Sequence, residues 1–331
     1  MLYPRIFTIS FFILSFGSGA FAVSCTTQAQ MTIAQRNGLS DAAKAMMGLI
    51  QRGDVRGLQG DTLPSVASDF SGIASTVANL KLQIQTATLT VENVYLLDAS
   101  GQPAGSAPTE FFCGEPVVSL NFSDLPTGVY ALAIGHATGV QQPQQIALIL
   151  AKSTSGQWML GGLYAKPMIY AGHDGLWYWT AARKYTAGNQ NWGAWLYYGI
   201  AKRLLDPLDI MSSPNLEKLQ SESAKVKPAS FPGPNPVSLA AHDGTYSLSA
   251  IDTTTAFGAL DLDVHYVPDA AQAEQLRDPP SARKQVLDIM EALLDQHPEL
   301  HQVFHGIWVQ ADQGAGSLFA LELPMDSIRT N

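Results

Sequence analysis

The sequence predicts an α+β protein. Three patterns carry that expectation: two amphipathic helices near the start, a succession of strand patterns from Leu89 onward, and a strand–strand–helix–strand–strand order at the C-terminal end. Helices followed by antiparallel strands place the helices on one face of a sheet rather than between parallel strands. With 331 residues, 46% of them hydrophobic and 14% charged, the chain can build real cores in two or three domains. The formal net charge is −9, or −10 once Arg5 leaves with a leader segment. Neutralising phosphates requires a basic face, so nucleic acid is not an expected partner.

Residues 1–22 read as a secretory signal peptide, with Arg5, the apolar run Ile6 to Phe16, and Ala20-Phe21-Ala22 as the cleavage site. That run is too short to span a bilayer comfortably, and no transmembrane helix is expected further on. The mature chain would begin at Val23 and reside in the periplasm or outside the cell. Its two cysteines, Cys25 and Cys113, form an even pair, which in an oxidising compartment implies a disulfide. Ala22-Val23-Ser24 before Cys25 resembles a bacterial lipobox without its usual Leu. That resemblance implies the rival outcome, a membrane-anchored lipoprotein with a lipid on Cys25 and a free Cys113.

A first α+β domain is expected over residues 23–165. Ser40 serves as N-cap of a helix ending at Gln51, with Gly53 beyond its end. Arg52-Gly53-Asp54 therefore reads as a helix terminus and turn rather than an adhesive tripeptide. A second helix follows Pro64, with Val66, Phe70, Ile73, Val77 and Leu80 on one face. Strands are predicted at Leu89 to Leu97, Pro116 to Phe122, Gly128 to Ile134, Ile146 to Ala151 and Gln157 to Tyr164. The last two form a hairpin closed by Ser153-Thr154-Ser155-Gly156. In element order alone this region resembles the NTF2-like fold, which implies a concave sheet able to hold a pocket.

Residues 166–220 form an aromatic-rich segment predicted as a helical hairpin, and Trp158, Trp177, Trp179, Trp192 and Trp195 are five of the chain's six tryptophans. The first helix runs from about Leu176 to Ala187, and the second from Asn191, as N-cap, to about Leu205. Gly188 and Asn189 lie between them. Ala194, Tyr198, Ala201 and Leu205 recur at helical spacing, and Leu196, Ile200 and Leu204 add a second apolar row, so this helix should be buried. Ala182, Tyr185, Ala194, Tyr198 and Ala201, with Pro207 one residue late, resemble the small and aromatic positions of one tetratricopeptide (TPR) unit. Tyr178 and Ala181 stand where that family has Trp and Leu, and no second copy is found. Stacked rings can hold a protein, peptide or glycan ligand, which makes Trp192, Trp177 and Trp179 the candidate platform against the competing reading of core. Trp192, in the first turn of its helix, is expected to be exposed and Trp195 buried.

Residues 221–240, with four prolines and several serines, read as a linker, and residues 241–331 as a small α+β domain. Its strands are predicted at Tyr246 to Ile251, Gly258 to Val267, Ile307 to Ala311 and Ser317 to Leu323. Its helix is capped by Asp278-Pro279, with Val286, Ile289, Met290, Leu293 and Leu294 inward.

Two tripeptides repeat: His173-Asp174-Gly175 and His242-Asp243-Gly244. A His beside a carboxylate suits a general base or metal ligand, whereas Asp-Gly is also a turn signal. Asp261, Asp263 and His265 share one strand face by period two, giving a candidate metal site against the alternative of an ordinary wet face. His297, His301 and His305 are spaced four apart, but Pro298 interrupts the stack. Ser281-x-x-Lys284 has the nucleophile spacing of penicillin-recognising enzymes without their other motifs. No G-x-S-x-G, H-E-x-x-H, Walker loop or dinucleotide fingerprint is present, and no cofactor is expected. The leading expectation is an exported, non-catalytic binding or scaffolding protein. The alternative is an extracytoplasmic hydrolase or metal-dependent enzyme using the two His-Asp-Gly turns.

Overall fold

The early strands form one sheet facing two cores. The computed structural model describes residues 23–102, 108–115, 117–314 and 316–328; the leader at 1–22 and Pro116 of one predicted strand lie outside these. Strand β1 (Ser24–Thr27) is followed by helices α1 (Ile33–Arg52), α2 (Val55–Gly60), α3 (Pro64–Ala67) and α4 (Ser71–Ile84). Next come β2 (Thr88–Asp98), β3 (Thr109–Cys113), β4 (Val118–Phe122), β5 (Val129–Thr138), β6 (Gln144–Lys152) and β7 (Trp158–Pro167). β1, β2, β5, β6 and β7 form an antiparallel sheet in that order. On one face Val94, Ala131, Ala133, Ile146 and Leu148 pack under α1 and α4. On the other, Tyr95, Leu97, Leu132 and Ile134 meet Phe111 and Leu120 of the small β3–β4 sheet. At Gly135 the approach is so close that a Cβ would lie 2.6 Å from the carbonyl oxygen of Thr90 and 2.7 Å from the Met47 thioether.

Several boundaries differ from the sequence expectation for local reasons. α1 starts at Ile33, not after Ser40, because Thr32 and Gln35 form a reciprocal capping box. Gly53 closes it in the left-handed conformation (φ 68°), and Asp54 then caps α2, so Arg52-Gly53-Asp54 joins two helices. The helix after Pro64 divides into α3 and α4 where the Ser68 hydroxyl donates back to the Ser65 carbonyl and Phe70 turns inward. Cys25 on β1 is disulfide-bonded to Cys113 on β3, tying the sheet edge to the small sheet. The lipid-anchor alternative needs the same Cys25 sulfur that is engaged in this bond.

Beyond β7 a two-stranded ribbon, β8 (Ile169–Tyr170) and β9 (His173–Asp174), leads into α5 (Gly175–Ala187) and α6 (Asn191–Leu205). Gln190, not Asn191, occupies the N-cap of α6. β10 (Met211–Ser212) returns to pair with β4, and α7 (Pro214–Val226) follows. Then come β11 (Val237–Ala240), β12 (Thr245–Thr254), β13 (Asp261–Val267), α8 (Ala270–Gln275), α9 (Pro279–Gln296), α10 (Leu300–Val303), β14 (Gly306–Gln313) and β15 (Gly316–Pro324). β11 to β15 make a second sheet in sequence order; β13 and β14 pair in parallel and the other neighbours antiparallel. α8–α10 form the crossover that a parallel pair requires.

The helical hairpin is part of this second unit. Tyr178, Ala182, Ala194, Tyr198 and Ala201 share one core with Leu248, Val264, Ile289, Leu293 and Val309. The stretch at 221–240 is not an open linker either: Ser221–Val226 completes α7 and Val237–Ala240 is β11, with the prolines confined between them. The architecture is α+β throughout. Among the described residues no helix is long and apolar enough to cross a membrane.

Candidate functional site

Helix α6 separates two clefts. Its small residues Ala194 and Ala201 sit fully buried in the core, which turns Trp195, Gly199 and Lys202 toward the other side. There they meet α7 and β12 around a groove of about 520 Å³. Its walls are apolar, formed by Trp195, Leu196, Leu219, Phe231 and Ile251, with Gln220 and Ser223 along α7. The floor is bare at Gly199, where an added Cβ would meet nothing within 4 Å.

The charges around the groove are ordered. Arg203 reaches both carboxylate oxygens of Asp252 at 3.1 and 3.0 Å and donates to the Thr253 hydroxyl at 2.9 Å. Lys202 adds a cation to the lining, and the Lys227 ammonium sits 5.4 Å from the Trp195 ring centroid. Lys202, Arg203 and Asp252 give the lining a net positive charge in a chain of net charge −9. Glu222 holds α7 in place. It accepts the Trp179 indole N–H at 2.7 Å, two Arg183 bonds at 2.8 and 2.9 Å, and the Tyr198 hydroxyl at 3.4 Å. The hydrogen-bonded Arg183 guanidinium lowers the Glu222 pKa below the ordinary carboxylate value.

The second cleft, about 340 Å³, lies between the start of α5 and the ends of β13 and β14, and its walls include His173, Trp177, Tyr197, Leu260 and His305. Its entrance turn is strained: Ala171 (φ 44°) and Gly172 (φ 80°) both adopt left-handed backbone to make the tight β8–β9 reversal. That turn lays the His173 ring on Trp177, with centroids 3.6 Å apart and planes 6° from parallel. Behind them the Tyr178 hydroxyl donates to the Tyr170 carbonyl and the Tyr197 hydroxyl to the Val303 carbonyl. Burial pushes both phenol pKa values well above the usual one.

The structure redistributes the residues singled out by sequence. Trp192 is buried (4% exposed), against the expectation, because His297 and Phe231 cover it with ring centroids 4.2 and 5.1 Å away. Trp179 is buried as well, under the Arg183 guanidinium. Trp177 is 42% exposed and half-buried Trp195 lines the groove, so of the four hairpin tryptophans these two are the accessible rings. The His-Asp-Gly pair does not converge. Asp174 caps α5 through the Trp177 N–H, whereas His242 and Asp243 turn the β11–β12 hairpin with their N–H groups on buried Asp288. Tyr170, one turn from His173, bonds to Thr253 at the far end of β12 from His242, placing the two tripeptides roughly 30 Å apart at about 3.3 Å per strand residue.

Asp261, Asp263 and His265 do share a strand face, but each is occupied by neighbours. His265 lies 2.9 Å from Asp312 and 3.4 Å from Asp263, Asp263 accepts from Gln310, and Asp261 lies 3.3 Å from His305. Among the described residues no group of three or more His, Cys, Asp or Glu is arranged to hold a metal ion. The histidines at 297, 301 and 305 do not stack, since His297 packs on Trp192 and His305 pairs with Asp261. Ser281 donates to the helix-capping Asp278 and Lys284 pairs with Asp243, each engaged outside any Ser–Lys contact. Sequence reasoning missed the groove itself. A bare Gly199 between the core residues Tyr198 and Ile200 was the available signal. No family model, no curated protein and no solved structure matches the chain.

Proposed function

We propose that this is an exported binding protein and that the groove between α6, α7 and β12 is its site, taking an elongated apolar molecule that carries one anionic group. The observation that carries the proposal is the groove's composition: apolar walls from Trp195, Leu196, Leu219, Phe231 and Ile251, with Lys202 in the lining of an otherwise acidic chain. Its volume of about 520 Å³ suits a small molecule rather than a folded partner. The Cys25–Cys113 disulfide supports an exported location. The likeness of α5 and α6 to one TPR unit, and of the N-terminal unit to the NTF2-like element order, fits a scaffold that presents a site rather than one built around a cofactor.

The test is titration with 8-anilinonaphthalene-1-sulfonate, an apolar anion that fluoresces on leaving water. The expected result is saturable one-site binding that Gly199→Phe weakens by about tenfold or more while the melting temperature holds. The position has open space, and replacing a helix glycine does not cost helix propensity. Unchanged binding by folded Gly199→Phe would overturn the assignment.

A further inference from the structure

The second cleft holds a constellation that the binding groove does not use. Asp261, at the start of β13, is fully buried, and its Oδ1 lies 3.3 Å from Nδ1 of His305. With the Asp261 carboxylate as acceptor, Nδ1 is the donor of this bond, and Nε2 is the ring nitrogen left to face a substrate. The His305 backbone is pinned on both sides, its N–H on the Leu260 carbonyl and its carbonyl on the Met325 N–H, each at 2.9 Å. The ring itself is 59% exposed and lines the cleft opposite His173. Asp261 Oδ2 has no hydrogen-bond partner among the described residues, although burying an unpaired carboxylate oxygen is costly. A second carboxyl converges on the same point: a Cβ on Gly306 would lie 2.7 Å from Glu322 Oε1 and 2.9 Å from Asp261 Oδ1. Burial first, and then the charge of Asp261, raises the Glu322 pKa above the ordinary carboxylate value.

We infer that this cleft is a hydrolytic site for short, uncharged carboxylic esters, with His305 as general base, Asp261 as its positioning residue and His173 as a donor to the carbonyl oxygen. His305 Nε2 takes a proton from water as the water oxygen adds to the acyl carbon. The adduct then expels the alcohol oxygen, which recovers that proton from the imidazolium, leaving a carboxylic acid and an alcohol. Two features select the substrate class. Among the described residues the lining holds no Lys or Arg, and two carboxyl groups stand behind His305, which disfavours a phosphodiester or another anion. The aromatic walls and the volume of about 340 Å³ suit a small acyl group.

The test follows hydrolysis of 4-nitrophenyl acetate by the full mature chain, with imidazole at equal concentration as reference. Saturable turnover above that reference is expected. His305→Gln should lose about a hundredfold or more, the lower end of what a positioned general base supplies. Asp261→Asn should lower kcat with KM retained, and His242→Gln, at the far end of β12, should match the parent. His305 is largely exposed, so its variant should keep the parent melting temperature and carries the test even if Asp261→Asn unfolds. A rate equal to imidazole, or one indifferent to His305→Gln, would overturn the proposal. Dye binding in the α6–α7 groove reads a different cavity and does not depend on this outcome.

Discussion

The indole N–H of Trp179 donates to the carboxylate of Glu222 at 2.7 Å, joining α5 to α7 across the groove wall. Arg183 stacks over the same indole and grips the same carboxylate, so one acidic residue satisfies three side chains on the hairpin. Removing it would leave a buried indole donor and a guanidinium without their acceptor. Glu222→Ala should cost about 1–3 kcal/mol in denaturant unfolding and also weaken dye binding, since α7 supplies Leu219, Gln220 and Ser223 to the groove. Unchanged stability and binding would mean that α7 is held by other contacts.

The tryptophans should separate by burial rather than by position in the helix. Trp192, covered by His297 and Phe231, should cost about 3–5 kcal/mol when truncated to Ala. Trp177 is 42% exposed, and its Ala variant should cost only about 1 kcal/mol. Chemical denaturation of the two variants orders them directly, and the reverse order would contradict the packing.

Stability should fall on the alkaline side in a way that His265 controls. Its pKa is raised from 6.5 to about 9, chiefly by Asp263 and then by Asp312, although the Asp312 contact is the shorter. A folded-state pKa above the unfolded value stabilises fully below about pH 6.5 and is lost as pH rises through about 9. The change should be of order 1–3 kcal/mol over that window. Subtracting the His265→Gln profile isolates it from other alkaline titrations; parallel profiles would remove His265 as the cause.

Breaking the disulfide should act on the unfolded chain. Cys25 and Cys113 are 88 residues apart, and opening so long a loop by a double Ser substitution should cost about 3–5 kcal/mol. Thermal unfolding of the two proteins, with intact mass confirming the oxidised parent, checks this.

What the sequence disclosed follows from which interactions are local. β2, β5, β6 and β7 were legible as short apolar runs, near-continuous in β5 and β6 because apolar layers cover both faces of that sheet. The order around α9 was legible from Asp278-Pro279 and its inward row. β1 and β3 were missed: each is four or five residues long and defined by its partner strand and the disulfide rather than by its own pattern. The capping box at Thr32 and Gln35 starts α1 well before Ser40, which lies inside the helix. Trp192 misled because a first-turn residue is exposed in an isolated helix, whereas Phe231 and His297 arrive from 39 and 105 positions away to cover it. The Asp261–His305 pair spans 44 residues and exists only through the parallel β13–β14 register, where Asp261 faces Gly306. No local spacing could have announced it.

The binding proposal rests on an apolar groove with a cation in its lining, and charge selectivity tests it most directly. Calorimetric titration should compare decanoate with decyltrimethylammonium, which share a chain and differ in the sign of the head group. Decanoate should bind about fivefold more tightly or better, as roughly 1 kcal/mol of ion pairing implies. Lys202→Gln should erase that preference without changing the melting temperature. A cation that binds as well as the carboxylate, or a preference that survives Lys202→Gln, would contradict the account.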